Sequence, residues 1–390
     1  MSTLSPTAPS QPAPAVERRD SVSPLELFFD LVFVFAITQV TAFMADDPTW
    51  GGLLRGLLVL AVVWWAWAAY AWLTNQVDVD DGVVRLAMFA AMGAMLVTAL
   101  AVPGAFGDNA MLFALAYLLV RVLHILLFAQ RSEELAVRDA ARALAPTAIL
   151  APALLIGAAF FDGPAQGAIW AVALLVDYGS AGLRGIAGWQ LSPGHFAERH
   201  GLVMIIALGE SIVAIGVGAA GLELGPGEIL AAALGVAIAA ALWWAYFDVV
   251  AIVAERKLRE AARGRAQNTM ARDSYSYLHL PMIAGIVLLA LGTKKTLGHV
   301  DEPLKLVPAV ALCGGVALYL LAHVAFRLRN VHTFNRHRLV AAIVCLAFIP
   351  LATLIPALAA LATIAAVCSA LIAYELIRFR EARARVRVGG

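Results

Sequence analysis

Leu202–Ala220 reads LVMIIALGESIVAIGVGAA, an apolar run interrupted by Glu210 and Ser211. Its length and composition are those of a membrane-spanning helix. A carboxylate at that depth costs about 2.5–3.5 kcal/mol on insertion scales, so such a group usually lines a pathway or meets a partner. Other ionisable groups lie at comparable depth: Glu26 and Asp30 open the first apolar run, Arg121 and His124 interrupt the fourth, and His279 and His323 occupy later ones.

The rest of the chain fits lipid as solvent. Of 390 residues, 62% are hydrophobic and 14% charged, with mean hydropathy +0.83. A soluble domain is nearer half apolar and a quarter charged. The net charge of +1 gives no bulk attraction to nucleic acid. Cys313, Cys345 and Cys368 fall inside apolar runs without paired spacing, as small buried residues do. Residues 1–22, rich in Pro, Ser, Thr and Ala, read as a disordered tail rather than a cleaved signal.

Apolar runs suggest twelve spans, at about 25–44, 53–74, 84–105, 109–130, 143–161, 164–184, 198–220, 227–252, 273–297, 304–327, 337–354 and 357–377. Leu339–Tyr374 carries no charge and is too long for one crossing, and Pro350 and Pro356 mark its break. With the amino terminus cytoplasmic, 23 of the 28 Lys and Arg fall in inside segments and four outside, with Arg121 within a span. The positive-inside rule favours that arrangement, with both termini cytoplasmic.

The chain also echoes itself. Glu26–Val40 lies over Glu198–Ile212, placing Thr38 and Gln39 over Glu210 and Ser211. Trp64-Trp65 and Trp243-Trp244 recur in the second span of each half, and Tyr117-Leu118-Leu119 and Tyr319-Leu320-Leu321 in the fourth, with Arg121 over His323. The expected fold is an all-α polytopic transmembrane helical bundle of two six-helix repeats in parallel orientation, 23–190 and 191–380, followed by a basic cytoplasmic tail at 381–390.

The polar groups permit two readings each. Glu26 and Asp30, four apart, share a helix face. They suit a cation or proton entrance, or an acidic first turn following Pro24. Tyr117, Arg121 and His124 form a mid-span stripe. Arg121 needs a carboxylate or a hydrated cavity, and Glu210 is the expected partner by depth. Tyr275 and His279 are four apart, and His323 lies one turn before Arg327. These histidines are proton-relay candidates or satisfied hydrogen-bonders. Glu198, Arg199, His200 and Asp248 are expected at the cytoplasmic entrance. His195/His200 and His332/His337 are spaced five apart, which turns two residues of a helix away from each other and disfavours a shared metal. No phosphate-binding loop, dinucleotide fingerprint or nucleophile elbow is present, so neither a cofactor nor an enzymatic activity is expected.

Pro24–Phe35 (PLELFFDLVFVF), Phe196–Gly216 (FAERHGLVMIIALGESIVAIG) and Tyr275–Gly292 (YSYLHLPMIAGIVLLALG) together resemble the bacterial low-temperature-requirement protein A family over about residues 18–380. The resemblance implies a polytopic membrane protein linked to growth in the cold, with hallmark polar positions at Glu26, Asp30, Glu198, Arg199, Glu210, Ser211, Tyr275 and His279. Phe28-Phe29-Asp30 is also similar, over a short stretch, to the Phe-Ser-Asp of certain potassium-leak channels.

The expected function is a proton- or cation-coupled secondary transporter, with Glu210 as coupling carboxylate, Arg121 as countercharge, and the partners being the bilayer and a small solute or ion. A homo-oligomer is compatible with the sequence. The alternatives are a cation channel and a non-transport membrane scaffold or sensor tied to cold growth.

Overall fold

The structure is a computed structural model that describes residues 21–388 except 132–134, 185–188, 190 and 221. The expected tail at 1–22 and the boundary at 190 therefore lie largely outside the described residues.

Pro24 opens α1 (Pro24–Asp46) behind a capping box. Ser23 Oγ accepts from the Glu26 N–H (3.3 Å), and the Glu26 carboxylate accepts from the Ser23 N–H (2.9 Å). Thr49 caps α2 (Trp50–Thr74) and Asp81 caps α3 (Gly82–Leu100). Then come α4 (Ala110–Arg131), α5 (Leu135–Ala158), α6 (Gly163–Arg184), α7 (Pro193–Ala219) and α8 (Pro226–Phe247). The expected eighth span, 227–252, is broken at Asp248. Beyond it α9 (Val250–Glu260) is short and amphipathic, with Glu255, Arg256, Lys257 and Arg259 on its polar side.

The ninth and tenth expected spans are composite. α10 (Arg265–Ala271) passes through a π segment, Arg272–Tyr277, into α11 (His279–Leu297). α12 (Leu306–Ala309) passes through a second, Val310–Gly314, into α13 (Gly315–Val331). A π turn inserts a residue and re-aims the side chains after it, and such turns often occur at functional sites. α14 (Arg336–Ala352), α15 (Ala357–Arg378) and α16 (Arg380–Val388) complete the chain.

Nine of the described helical segments are long and apolar enough to cross a membrane: α1 to α4, α7, α8 continuing into α9, α10–α11, α12–α13 and α15. The twelve expected spans are thus reduced to nine on this measure. The others fall on real helices that are weaker membrane segments. α5 carries Arg138, Asp139 and Arg142 near its start and keeps an apolar helix only over Arg142–Ala158. α6 contains Gln166 and Asp177, both buried. α14 has 17 residues and begins on Arg336 and Arg338.

α1 and α7 run parallel and in register. Glu26 meets Arg199 near their starts and Thr38 meets Glu210 further along, pairs separated by 173 and 172 residues. In the first half α1 packs on α2 and α3, α3 on α4, α4 on α5, α5 on α6, and α2 on α6. In the second, α7 packs on α8 and α11, α11 on α13, α13 on α14, α14 on α15, and α8 on α15.

α11 is the central column. Its residues from Met282 to Thr293 are all buried, against α1, α7, α8, α13 and α15. A helix apolar on every side belongs in such an interior. Outward-facing Leu86, Phe89, Leu96 and Leu100 on α3 show the opposite pattern, a lipid-facing stripe.

The crossing of α11 and α13 depends on glycine. A Cβ at Gly285 would lie 2.6 Å from the Gly315 carbonyl oxygen, and one at Gly315 would lie 2.7 Å from the Gly285 oxygen. Backbone cannot retreat as a flexible side chain can, so filling this crossing overpacks it. Gly285→Val should lower the thermal unfolding midpoint of the detergent-solubilised protein by an amount equivalent to about 1–3 kcal/mol or more. Gly93→Ala, where a Cβ meets nothing within 4 Å, should leave it unchanged.

Candidate functional site

Arg199, fully buried on the second turn of α7, reaches across to α1. Its Nη1 donates to Glu26 Oε1 and its Nη2 to Asp30 Oδ1, both at 2.7 Å. Nη1 also donates to Thr74 Oγ1 of α2 (3.1 Å). Trp67 Nε1 donates to Asp30 Oδ1 at 2.9 Å, and the Arg199 guanidinium lies over the Trp67 ring at 5.7 Å. The spacing of Glu26 and Asp30, one turn apart, lets a single planar guanidinium span both.

A histidine completes the Glu26 side. Asn75 Oδ1 accepts from the Ser192 N–H (2.7 Å), so its amide nitrogen is the group facing His195 Nδ1 at 2.9 Å. His195 Nδ1 is then an acceptor and Nε2 carries the proton donated to Glu26, about 3.0 Å away. That hydrogen bonding describes a neutral imidazole. One guanidinium therefore serves two carboxylates, and Asp30 Oδ2 has no hydrogen-bond partner among the described residues although Asp30 is fully buried. With both acids ionised the cluster carries one negative charge in excess.

The next layer is built from rings. Trp67 meets His200 edge-on (4.9 Å between centroids), and His200 meets Tyr275 (5.1 Å) and His279 (5.2 Å). The π segment brings the Ser274 carbonyl to His279 Nδ1 at 3.0 Å, five residues away. A carbonyl only accepts, so Nδ1 bears the proton, and Nε2 accepts from the Tyr246 hydroxyl at 2.8 Å. Tyr246 also packs on His323, whose Nδ1 accepts from Arg338 (2.9 Å), and Arg338 holds Glu375 through two bonds of 2.8 and 2.9 Å. His200 Nε2, the Tyr275 hydroxyl and His323 Nε2 have no hydrogen-bond partner among the described residues.

Several expectations need correction. Arg121 does not pair with Glu210. Its Nη2 is 2.7 Å from Asp177 of α6, both residues buried. Asp177 lies inside an expected span, and its charge in that apolar run was the available signal. Glu210 accepts from Thr38 Oγ1, and no ion pair reaches it among the described residues. Ser211 Oγ donates back to the Leu208 carbonyl (2.6 Å). His124 faces the Ala69 carbonyl at 3.0 Å, apart from His279 and His323. Of the four residues expected at an entrance, Glu198 is exposed and accepts from the Val22 N–H (2.9 Å). Arg199 and His200 are instead fully buried, because α7 enters the bundle within its first turns. Asp248 is clasped by Arg383 and Arg387 of α16.

Two cavities accompany these groups. One, of about 70 Å3, is lined by Trp65, Arg121, His124 and Asp177, among others. The other, of about 280 Å3, is bounded by α8, α9 and α13 to α16 and includes Asp248, His323, Arg338 and Glu375. Glu210 lines neither.

Replacing Arg199 by Met strands two buried carboxylates and should cost about 3–5 kcal/mol in unfolding measurements. Adding Glu26→Gln and Asp30→Asn should recover a large part of that loss. Asp177→Asn, which strands Arg121, should destabilise far more than Glu210→Gln in the same thermal assay. Equal losses would contradict the Arg121–Asp177 pairing.

Residues 21–373 match the profile of the bacterial low temperature requirement A protein (LtrA). The chain is also similar to an uncharacterized protein, RA0937, from Rhizobium meliloti (strain 1021), with 30% identity over 306 residues, 76% of this chain and 74% of that protein. The motifs around Arg199 and His279, the run of apolar helices and the match over most of the chain agree: this protein belongs to the LtrA family of membrane proteins.

Proposed function

We propose that this chain is a proton- or cation-coupled secondary transporter of the bacterial inner membrane, with the coupling site on the seam between α1 and α7. One observation carries the reading: Arg199 is shared by Glu26 and Asp30, and Asp30 keeps an unpartnered buried oxygen. An uncompensated charge in that setting costs several kcal/mol. A proton or small cation on Asp30 removes the excess, and its arrival and departure supply the switch a coupled carrier needs. Glu210 is a third carboxylate on the same seam, 11 residues beyond Arg199, or about 16 Å by helical rise. That distance is roughly half the hydrocarbon thickness.

In this reading the three weaker helices α5, α6 and α14 also cross, giving twelve spans with both termini cytoplasmic, as the distribution of Lys and Arg favours. The two halves are parallel repeats. The neighbour pattern of α1 to α6 is repeated by α7, α8, α11, α13, α14 and α15. The cavities support the same correspondence. Trp65 and Ala69 line one, and Trp244 and Asp248, each 179 residues later, line the other. Arg121, His124 and Phe128 recur as His323, Phe326 and Asn330, each 202 residues later. Parallel repeats of this kind are a common transporter architecture. A contribution to growth in the cold would follow from the solute moved.

The one-to-one pairs Arg121–Asp177 and Arg338–Glu375 favour a second reading, a non-transport membrane scaffold or sensor, because neutralised pairs fix helices without moving anything. Charge displacement separates the two. Purified protein in liposomes on a solid-supported membrane should give a transient current after a pH, Na+ or K+ jump, reduced at least tenfold by Asp30→Asn and by Glu210→Gln. A wild-type signal equal to that of protein-free liposomes in all three jumps would remove the transport reading.

A further inference from the structure

We infer that the coupling ion is a proton, that Asp30 carries it on Oδ2, and that Na+ and K+ are excluded from the seam. The inference deepens the transport reading. The proton's part in coupling rests on that reading, whereas its place on Asp30 is tested apart from it.

Glu26, His195 and Asp30 could each take a proton, and hydrogen bonding leaves room on one of them. Glu26 Oε1 accepts from Arg199 Nη1 (2.7 Å) and His195 Nε2 (3.0 Å), and Oε2 accepts from the Ser23 N–H (2.9 Å) and hydroxyl (3.0 Å). A proton on either oxygen would have to displace one of these donors. His195 Nδ1 is occupied by the Asn75 amide, and turning that amide over would break its bond from the Ser192 N–H. Asp30 differs at one atom. Its Oδ1 accepts from Arg199 and Trp67, while Oδ2 has no donor among the described residues. A proton bonded to Oδ2 displaces nothing and takes the cluster from one negative charge to none.

A metal ion needs what this site lacks. Na+ or K+ gives up its hydration shell only for a set of protein oxygens that replaces it. The other oxygens of the cluster are engaged: Thr74 Oγ1 accepts from Arg199, and the Ser23 hydroxyl bonds to Glu26. Neither cavity is lined by Glu26, Asp30 or Arg199, and Asp30 Oδ2 is enclosed. The Arg199 guanidinium also repels a second fixed cation. A proton needs neither a cavity nor a coordination shell. The helices packed on α1 add no better place for it. α3 has no buried ionisable side chain, and the Tyr70 hydroxyl of α2 donates to the Val120 carbonyl (3.0 Å). On α11, His279 is committed at both nitrogens, to Ser274 and Tyr246. A proton on His200 Nε2 would put a cation among the rings of Trp67, Tyr275 and His279 and leave the excess charge on Asp30.

The test is infrared spectroscopy of the full chain in liposomes at neutral pH. Wild type should show a protonated-carboxyl band that is absent from Asp30→Asn and that shifts when aspartate carboxyls carry carbon-13. The isotope shift is read on wild type and so does not depend on a variant folding. Glu26→Gln should also lose the band, because Arg199 then balances Asp30 alone, whereas His195→Gln should keep it. A wild-type spectrum without an aspartate-labelled band, or the same band in Asp30→Asn, would overturn the assignment. In the solid-supported membrane assay, a pH jump should give a current at least tenfold above protein-free liposomes, and Na+ or K+ jumps at constant pH should give none above them. A Na+ or K+ current would overturn the choice of ion and leave transport standing. No current in any jump, with the labelled band present, would remove the coupling role and leave the proton on Asp30.

Discussion

The fold is organised around a charge that cannot be left alone. Arg199 has no exposed surface, so its guanidinium must be met inside the protein. The two acids that meet it are on α1, and Thr74 of α2 completes the contact. The consecutive helices α1 and α2 and the distant α7 are thereby fixed in rotation and in depth. Apolar helices in lipid have little to specify register, since sliding one past another exchanges one apolar contact for another. A buried ion cluster gives them that specification, at the cost of desolvating three charges. The parallel register of α1 and α7, visible again where Thr38 meets Glu210, follows from this contact.

The π segment at Arg272–Tyr277 acts on the neighbouring layer. Its carbonyl at Ser274 orients His279 and leaves Nε2 as an acceptor for Tyr246. The same segment offers the Ser276 carbonyl to Trp64 Nε1 (2.7 Å) and the Ser276 hydroxyl to Trp72 Nε1 (2.9 Å). The irregular backbone is thus held within protein, with Arg272 and Ser276 on the wall of the smaller cavity, the kind of setting in which it is tolerated at membrane depth. It joins the two halves, because Trp64 and Trp72 belong to α2 and Tyr246 to α8.

Helices were largely legible from hydropathy, because lipid demands long apolar runs and proline and capping residues mark their starts. The depth of side chains was less legible. Arg199 lies near the start of its helix in sequence and so resembles an entrance residue, yet the start of α7 is already covered by Trp72, Asn75 and α1. Arg121 was paired by depth with Glu210, whereas rotation about the helix axis, which sequence does not give, turns it toward Asp177. Arg338 and Glu375 were readable in principle. They are the charges flanking the uncharged run Leu339–Tyr374, and folding that run near Pro350 and Pro356 brings its ends together. Trp64, Trp65, Trp67 and Trp72 are all buried, at depths along α2 that an interfacial belt would not occupy together.

Charge balance separates the polar groups into two kinds. Arg121 with Asp177 and Arg338 with Glu375 each balance one cation against one anion, although Arg121 Nε and Nη1 have no hydrogen-bond partner among the described residues. The cluster on the α1–α7 seam is different in stoichiometry. Two carboxylates share one guanidinium, and the neighbouring histidine is already committed as a neutral donor to Glu26. The described residues offer no remaining donor to Asp30 Oδ2. A purely structural pairing would have no reason to hold a second acid there, since a single carboxylate neutralises Arg199 and a hydrophobic residue of similar size costs less to bury. The imbalance makes sense when the cluster is completed by something that comes and goes, and a proton is the smallest such species.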